Sequence, residues 1–561
     1  MLPICDDENL KIYSIEDSAR DLARNAPCSE LAAAVLEMMK DNNKLEPEFV
    51  TDWISPNFNK LMSGLDLGEA SHAACERWKA KSSLGNVLVY GDYDTDGVCA
   101  TVLAMEIFRN KAAQVRYFIP RRDVQGYGLN YDTAKQLASR GCNTLVVVDC
   151  GTNDSEILNE LSKQGMEIFV FDHHTMAAPP SFPVIVNPCG DVTSNAPAKL
   201  CATAVLWSWA WKENIASHEW LKYALDLVAL ATISDCMPLN NLNRCLVKYG
   251  LMLMRRNPRR GLSALFDCLG IDKRRLNEEQ LSMRVIPCLN APGRISSADI
   301  SVRALLGMGG PEAVYNCARD IVRANRKRQA ISEKIAVNIS ETDEFVLKHV
   351  LFDETWPIGV LSGVASRICA QRHSPVALAA PVSGKIRGTL RVPVGGNAVG
   401  ILSEISSLLD AWGGHRYAAG FSVLMQNWQE VKNSLENLLA KIEIKEEVMQ
   451  VLNIEPNLIT LDEWRRINEL GPFGNDNPCP LFYTHHAASD KIEPLGRDGK
   501  HSSVRINNAK LLAFNAGLDE LNNFNKNITG WVYHPRVDFW RGEEQIQFIL
   551  DYAVTQGRSE V

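Results

Sequence analysis

A chain of 561 residues, 46% apolar and 22% charged, has the make-up of an ordinary globular protein of roughly three or four domains, each able to bury a core. No apolar run approaches the roughly 18 residues of a membrane span, and MLPICDDENLKIY lacks a basic stretch followed by an apolar one, so neither a membrane protein nor a secretory leader is expected. The net charge of −8 excludes a coat of basic surface but not a nucleic-acid enzyme, because a metal site concentrates acid; the 15 scattered cysteines, without a CxxC pair, point to reduced thiols in a cytoplasm.

Residues 1–84 read as helical and polar, with apolar spacing near 3.6 in SELAAAVLEMM and EASHAACERW. From 85 to 190 short apolar runs alternate with helical ones. Val87–Tyr90, Val115–Ile119, Leu145–Val148, Ile168–Phe171 and Val184–Val186 predict an α/β fold with a doubly wound parallel sheet. Gly91 ends the first run. Asp92, Asp94 and Asp96 follow at alternate positions, closed by Gly97, and Gly97–Arg109 is the first crossover helix. Three carboxylates just past a buried strand are costly unless something positive sits among them. The carboxyl edge of a parallel sheet is also where α/β proteins bind ligands, and a helix N-terminus there favours phosphate. At this point a divalent-metal site and a solvated acidic turn both remain open.

Three later stretches repeat the pattern. Thr144–Asp149 ends in Asp149, Glu167–His174 ends in Asp172, His173 and His174, and Ala224–Asp235 delivers Asp235. The repetition favours one site assembled at one sheet edge. Mixed oxygen and nitrogen donors suit Mn²⁺, with Mg²⁺ or Zn²⁺ as alternatives. Cys150, beside Asp149, reads as a small buried thiol.

Residues 191–345 read as predominantly helical. Between Asn241 and Phe345 stand 18 Lys and Arg against 11 Asp and Glu, including RRNPRR at Arg255–Arg260 and RANRKRQ at Arg323–Gln329. A basic middle in an acidic chain suits a groove for a polyanion. A long helix over Pro311–Ser340 bridges two lobes, with Asn325, Arg328 and Gln329 on or near one face. A second, smaller α/β unit begins near Phe345. In it Trp356–Ile368 turns into a helix and Pro375–Ala380 is a strand. KIEIKEE at Lys441–Glu447 marks the next boundary. Beyond it Ser502–Ile506, Lys510–Phe514, Thr529–Tyr533 and Gln545–Leu550 are strands of a small β-barrel. The expected domains are therefore a helical region at 1–84, a catalytic domain at 85–240, a helical connector at 241–345, the second α/β unit at 346–445 and the barrel at 446–561.

GDYDTDG at Gly91–Gly97, VDCGT at Val148–Thr152, FDHH at Phe171–His174 and SDCMPL at Ser234–Leu239 stand in that order. Together they resemble the four motifs of the DHH phosphoesterases. GGHRYAAG at Gly413–Gly420 is similar to the glycine-rich motif of the DHH-associated domain. PFGNDNPCPLF at Pro472–Phe482 resembles the start of the OB-fold domain of RecJ-type 5′ exonucleases, and the likeness extends over residues 45–555. It implies two Mn²⁺ or Mg²⁺ ions bridged by Asp149. Asp92 would hold one ion; Asp94, His173 and Asp235 the other. His174 would stand behind the ligands or contact phosphate, and Asp96 would cap or orient the loop rather than bind metal. His415, beside Gly413 and Gly414, would donate to a phosphate across the cleft.

IPRR with GYG (Ile119–Arg122, Gly126–Gly128), PCLNAPGR (Pro287–Arg294) and GTLR (Gly388–Arg391) are similar to the family's phosphate-contacting motifs. That likeness assigns Arg122, Arg294, Thr389 and Arg391 to phosphate or DNA. Lys500 and His501 are candidates for strand contacts on the barrel. The chain departs from the pattern at Tyr90, where some RecJ-like proteins have His, at Cys288 for Arg, and at Pro357 for His. The resemblance implies a metal-dependent 5′→3′ exonuclease of single-stranded DNA in repair or recombination. It would be a cytoplasmic monomer off the membrane, partnered by a single-strand-binding protein. Two alternatives stay open. A phosphodiesterase for short oligonucleotides or cyclic dinucleotides would generally lack the part from 448 to 561. A catalytically inactive single-strand-binding scaffold would not need Asp92, Asp94, Asp149, His173 and Asp235 intact.

Overall fold

Two short strands open the chain, β1 (Ile4–Asp6) and β2 (Leu10–Tyr13), where the sequence reads as helical. Both pair in parallel with strands from the far end of the chain, partners that no local spacing announces. Behind them Glu30–Met39 forms a helix buried on nearly every side. It packs into a core with Leu452, Trp464, Phe482 and Trp531. The computed structural model describes residues 2–41, 44–121, 128–176, 179–182, 184–197, 199–342, 347–496, 499–517, 527–540 and 542–556. The chain divides into two units, one of Met1–Phe58, Pro238–Arg244 and Glu446–Val561, the other of Asn59–Met237 and Cys245–Lys445. The stretch 1–84 is thus not a single helical region: its part up to Phe58 belongs with the C-terminal strands.

In the larger unit the apolar runs become β3 (Asn86–Tyr90), β4 (Gln114–Phe118), β5 (Thr144–Val148), β6 (Glu167–Phe171) and β7 (Ile185–Val186). All pair in parallel, in the order β4-β3-β5-β6-β7. The chain leaves β3 toward one side and returns to β5 on the other, so the crevice beyond their carboxyl ends is the topological switch point. Around this sheet stand α1 (Thr95–Phe108), α2 (Ala202–Lys212) and α3 (Leu225–Ser234), each apolar on nearly all faces because it is buried on nearly all faces.

Then come α4 (Asn241–Arg256), α5 (Arg260–Leu269), α6 (Ile286–Ile295), α7 (Asp299–Leu306) and α8 (Gly310–Ser340). At 31 residues α8 is about 46 Å long. Next, α9 (Ile358–Arg372) packs on a five-stranded sheet. Its strands are β8 (Val350–Phe352), β9 (Val376–Val382), β10 (Lys385–Arg391), β11 (Ala411–His415) and β12 (Ala418–Leu424). The order is β11-β12-β10-β9-β8, which leaves β11 as an exposed edge.

The smaller unit is built on β13 (Met449–Asn453), β14 (Leu481–His485), β15 (Lys491–Leu495), β16 (His501–Ile506), β17 (Ala509–Ala513), β18 (Ile528–Trp540) and β19 (Glu543–Thr555). With β2 on β13 and β1 on β19, the sheet numbers nine strands among the described residues.

Several arginines of the basic stretch from Asn241 to Phe345 are engaged inside the fold. Arg244 is buried, its guanidinium donating to the carbonyls of Leu470 and Gly471. Arg255 Nε donates to the Leu276 carbonyl at 2.6 Å, and Arg259 pairs with Asp226. On α8, Arg323 pairs with Asp320 and Arg328 donates to Asn325, while Arg326 and Lys327 stay exposed. A run of arginines reads alike in sequence whether its members face water or buried carbonyls; only the packing separates them.

Candidate metal centre

Five elements deliver carboxylates to the switch point. Asp92 follows β3 and is 3% exposed. Asp94 caps α1 and accepts the Gly97 N–H at 3.0 Å, which places its carboxylate at the positive end of the helix. Asp149 follows β5 with φ 61°, a left-handed conformation that Asp and Asn tolerate better than other side chains. Its N–H is held by the Phe171 carbonyl at 3.0 Å, which fixes that turn. Asp235 ends α3. Asp172, His173 and His174 follow β6.

His173 is the junction. Its Nε2 lies 3.2 Å from Asp149, 3.1 Å from Asp235 and 3.8 Å from Asp96. Ligand atoms of Asp92, Asp94 and Asp149 lie within 4.8 Å of one another, and so do those of Asp96, Asp149, His173 and Asp235. Asp149 is common to both groups. The resemblance puts Asp94 with His173 and Asp235; in the structure its carboxylate groups with Asp92. The oxygens of Asp96 already accept the N–H groups of Ala202 and Thr203 at 2.7 and 2.9 Å and the Thr203 hydroxyl at 2.5 Å. Asp96 therefore anchors the N-terminus of α2 while bordering the cluster. The donors are hard oxygens with one imidazole among them, which fits Mn²⁺ or Mg²⁺ and lacks the thiolates that favour softer ions.

Burial and the neighbouring Asp96, Asp94, Asp235 and Asp92 push the Asp149 carboxyl well above the ordinary range. Burial and Asp96 raise Asp235 to about 7, against the pull of His173. Burial disfavours a charged His173, yet the hydrogen bond to Asp235 and the charges of Asp235, Asp96 and Asp172 raise it to about 9. A proton on His173 does in part what a divalent cation would do. Through Asp149, Asp235 and His173 the folded protein without cations therefore binds more protons than the unfolded chain between about pH 4 and 9, and what these three groups contribute to stability falls as pH rises through that window. Cations displace these protons. The rise in melting temperature on adding Mn²⁺ should thus grow from about pH 5.5 to about pH 8. A rise that is flat or shrinks with pH would show that cations do not bind among these carboxylates.

Asp172, which the sequence places at the sheet edge without a role, receives one from the structure. It is 1% exposed and accepts the Thr152 N–H at 2.9 Å, the His173 N–H at 2.7 Å and the His174 N–H at 3.3 Å. Its Oδ1 lies 2.7 Å from His174 Nδ1. Burial alone would raise its carboxyl; these bonds and the two imidazoles hold it far below its usual value. Asp172 thereby aims the Nε2 edge of His174 away from itself. Asn187 completes the network, donating to Thr152 Oγ1 and the His174 carbonyl, each at 2.8 Å. The local signal was FDHH itself, in which the Asp precedes two imidazoles.

His415 ends the exposed edge strand β11. Its imidazole is lowered by the protein packed around it, then by the charges of His174, His173 and Lys199, and it still meets water. Gly413 shares its face of the strand, and a Cβ added there would meet nothing within 4 Å. Gly414 differs: at φ 147° its Cβ would stand 2.4 Å from the Ala418 carbonyl oxygen, so the fold itself demands glycine.

Arg294 Nη1 donates to Ser362 Oγ at 2.9 Å, and Arg391 Nε to Ser366 Oγ at 2.9 Å. The two serines stand one turn apart on α9. Arg391 Nη1 also donates to Thr389 Oγ1 at 2.9 Å. Ser362 and Ser366 had no sequence signal beyond their i, i+4 spacing. Arg122 lies outside the described residues.

Tyr90 is fully buried, its hydroxyl 3.2 Å from the Gly128 carbonyl, so it supports a loop. Cys288 accepts from Asn325 Nδ2 at 3.3 Å, and Pro357 caps α9. Cys150 is buried. His501 belongs to the other unit, with Lys500 just before its strand. His501 Nδ1 accepts the Asn515 N–H at 2.8 Å, and its ring meets the half-exposed Phe514 edge-on.

Three family models match the chain: the DHH family, N-terminal domain, over residues 86–232, the DHHA1 domain over 343–443, and the RecJ OB domain over 452–552. The chain is 29% identical over 454 residues to the single-stranded-DNA-specific exonuclease RecJ of Bacillus subtilis, covering 78% of this chain and 56% of that protein. It is 30% identical over 434 residues to the protein of the same name from Thermus thermophilus, covering 77% and 63%. The chain thus spans less than two thirds of the length of either relative. The crystal structure of the T. thermophilus RecJ in complex with Mn²⁺ has the same fold, with a TM-score of 0.80 at 24% identity over 99% of this chain and 80% of that one.

Proposed function

We propose that this chain, whose DHH, DHHA1 and RecJ OB domains in that order make it a RecJ-like member of the DHH family, hydrolyses single-stranded DNA from 5′ ends with divalent cations. The observation that carries the reading is the pair of ligand groups sharing Asp149 at the switch point of the parallel sheet. Two divalent ions, Mn²⁺ or Mg²⁺, would there supply an activated water and neutralise charge on the scissile phosphate and the leaving oxygen. Asp92, Asp94 and Asp149 would hold one, and His173, Asp235 and Asp149 the other. His174, fixed by Asp172, and His415 on β11 would orient the phosphate from opposite sides. The open side of Gly413 leaves room for the phosphate to reach the strand. Arg294, Thr389 and Arg391 would take the terminal phosphate. Strand grip by the smaller unit would fall with salt, with Phe514 as a stacking surface beside His501 and Lys500.

The reading extends to a monomer in a reducing cytoplasm, supplied with strands by a single-strand-binding protein. The cysteines form no disulfide among the described residues, which suits that compartment. End-labelled single strands, duplexes and RNA, incubated with Mn²⁺, with Mg²⁺ and with EDTA, test the proposal. The expected result is cation-dependent shortening of single-stranded DNA from the 5′ end, with duplex ends spared. Hydrolysis confined to dinucleotides, or strand binding without cleavage, would replace the nuclease by a small-substrate phosphodiesterase or by a scaffold.

A further inference from the structure

Arg259 of the RRNPRR run turns inward onto two carboxylates. Arg259 stands at the N-terminal cap of α5. Its Nε and Nη2 donate to the two carboxylate oxygens of Asp226 at 2.8 and 3.2 Å, a two-pronged pair. Its Nη1 lies 3.4 Å from Glu106 Oε1 and 3.1 Å from the Leu305 carbonyl oxygen. Asp226 is 1% exposed, and none of the three side chains takes part in the site described above.

The placement of the two acids gives the triad its meaning. Glu106 stands in the last turn of α1, and Asp226 in the first turn of α3. The opposite ends of the same helices reach the cluster: Asp94 caps α1, Asp96 lies in its first turn, and Asp235 ends α3. The helices pack side by side and run antiparallel. At about 1.5 Å per residue, Glu106 lies about 15 Å along α1 from Asp96, and Asp226 about 14 Å along α3 from Asp235. Near the cluster the carboxylates of the two helices repel one another and tend to splay the pair. At the far end a single guanidinium joins them. The guanidinium is itself anchored. A Cβ added at Gly261, in the first turn of α5, would stand 2.1 Å from the Ala304 carbonyl oxygen, so α5 and α7 touch at the backbone.

We propose that Arg259 is a positioning residue for the metal centre: by tying Glu106 of α1 to Asp226 of α3, it sets the spacing at which Asp94 and Asp235 meet Asp149 and His173 around the cations. The inference rests on the metal-centre reading, so Mn²⁺ binding by the unaltered full chain is measured first, by the electron paramagnetic resonance signal of free Mn²⁺. Absence of binding there would remove the reading and the clamp together; binding there leaves the clamp to be judged by its variants.

In Arg259→Met, Mn²⁺ affinity should fall about tenfold to a hundredfold, as it does when groups behind metal ligands are lost, and the spectrum of bound Mn²⁺ should change. Arg259→Lys keeps the charge without the planar fork and should lose less. Leu435→Ala, in the core of the five-stranded-sheet lobe, should lower the melting temperature yet leave Mn²⁺ affinity alone. Unaltered affinity in folded Arg259→Met, or an equal loss in Leu435→Ala, overturns the proposal. If Arg259→Met does not fold, Glu106→Met decides: this partly exposed side chain keeps its length but has no oxygen to accept from Arg259, so one arm of the clamp is lost. A measurable loss of affinity in that folded variant supports the clamp, and no change overturns it.

Discussion

Asp149→Asn protein should fold, melt at a higher temperature in EDTA, and lose nuclease activity by roughly three orders of magnitude or more, about 4 kcal/mol at 1.36 kcal/mol per tenfold. The loss follows because Asp149 is the side chain common to both ligand groups. Without its charge neither cation keeps the shared donor, and the two would repel each other unscreened. The gain in stability follows from the raised carboxyl. Burial and four neighbouring carboxylates make ionised Asp149 costly in the folded chain, while the unfolded chain ionises freely above about pH 4. A neutral amide removes that cost. Asn is the right replacement because φ is 61°; Ala would add backbone strain and confuse the comparison. Melting curves in EDTA, Mn²⁺ titration and strand digestion read the three effects separately. Digestion near the unaltered rate by folded Asp149→Asn would sink the shared-ligand assignment.

Arg391→Ala should slow digestion of 5′-phosphorylated strands about tenfold to a hundredfold, the loss of about 1.5–3 kcal/mol for a hydrogen bond to a charged group. Strands with a 5′ hydroxyl should lose much less. A terminal phosphate carries up to two charges, against one for an internal diester, and a planar guanidinium matches its oxygens. In the structure Arg391 is preset: Nε is held by Ser366 and Nη1 by Thr389 and the Leu390 carbonyl, each at 2.9 Å. Arg294 reaches the same helix through Ser362. Comparing two proteins on two strand types makes a double cycle, which separates recognition of the end from effects on the chemistry. Equal losses on both strand types would mean that Arg391 acts elsewhere, and the basis for 5′ polarity would fall.

The parallel sheet, the carboxylates and imidazoles at its edge, and the lobe bearing Gly413–His415 can be read along the chain. Each of these is local. A short apolar run followed by Asp reads as a buried strand with a candidate ligand just beyond it, because buried strands read as continuous apolar runs and ligands stand past their carboxyl ends; the longer run before Asp235 is a helix instead. Only the tertiary structure decided which carboxylates meet. Asp92, Asp94 and Asp96 look equivalent at alternate positions, yet Asp96 spends its oxygens on Ala202 and Thr203 of a distant helix. It also decided that Asp172 orients His174 and that Ser362 and Ser366 share an α9 face with two arginines.

The amino-terminal strands were illegible for a similar reason. Three or four residues carry too little periodicity to be told from a helix end, and their pairing energy comes from strands at the other end of the chain. Arg259 shows the limit most clearly. Among the arginines of RRNPRR nothing in the sequence sets it apart, because an arginine turns inward only where acceptors wait for it, in this case two acids. Here those acids are Glu106 and Asp226, and packing alone brings them together.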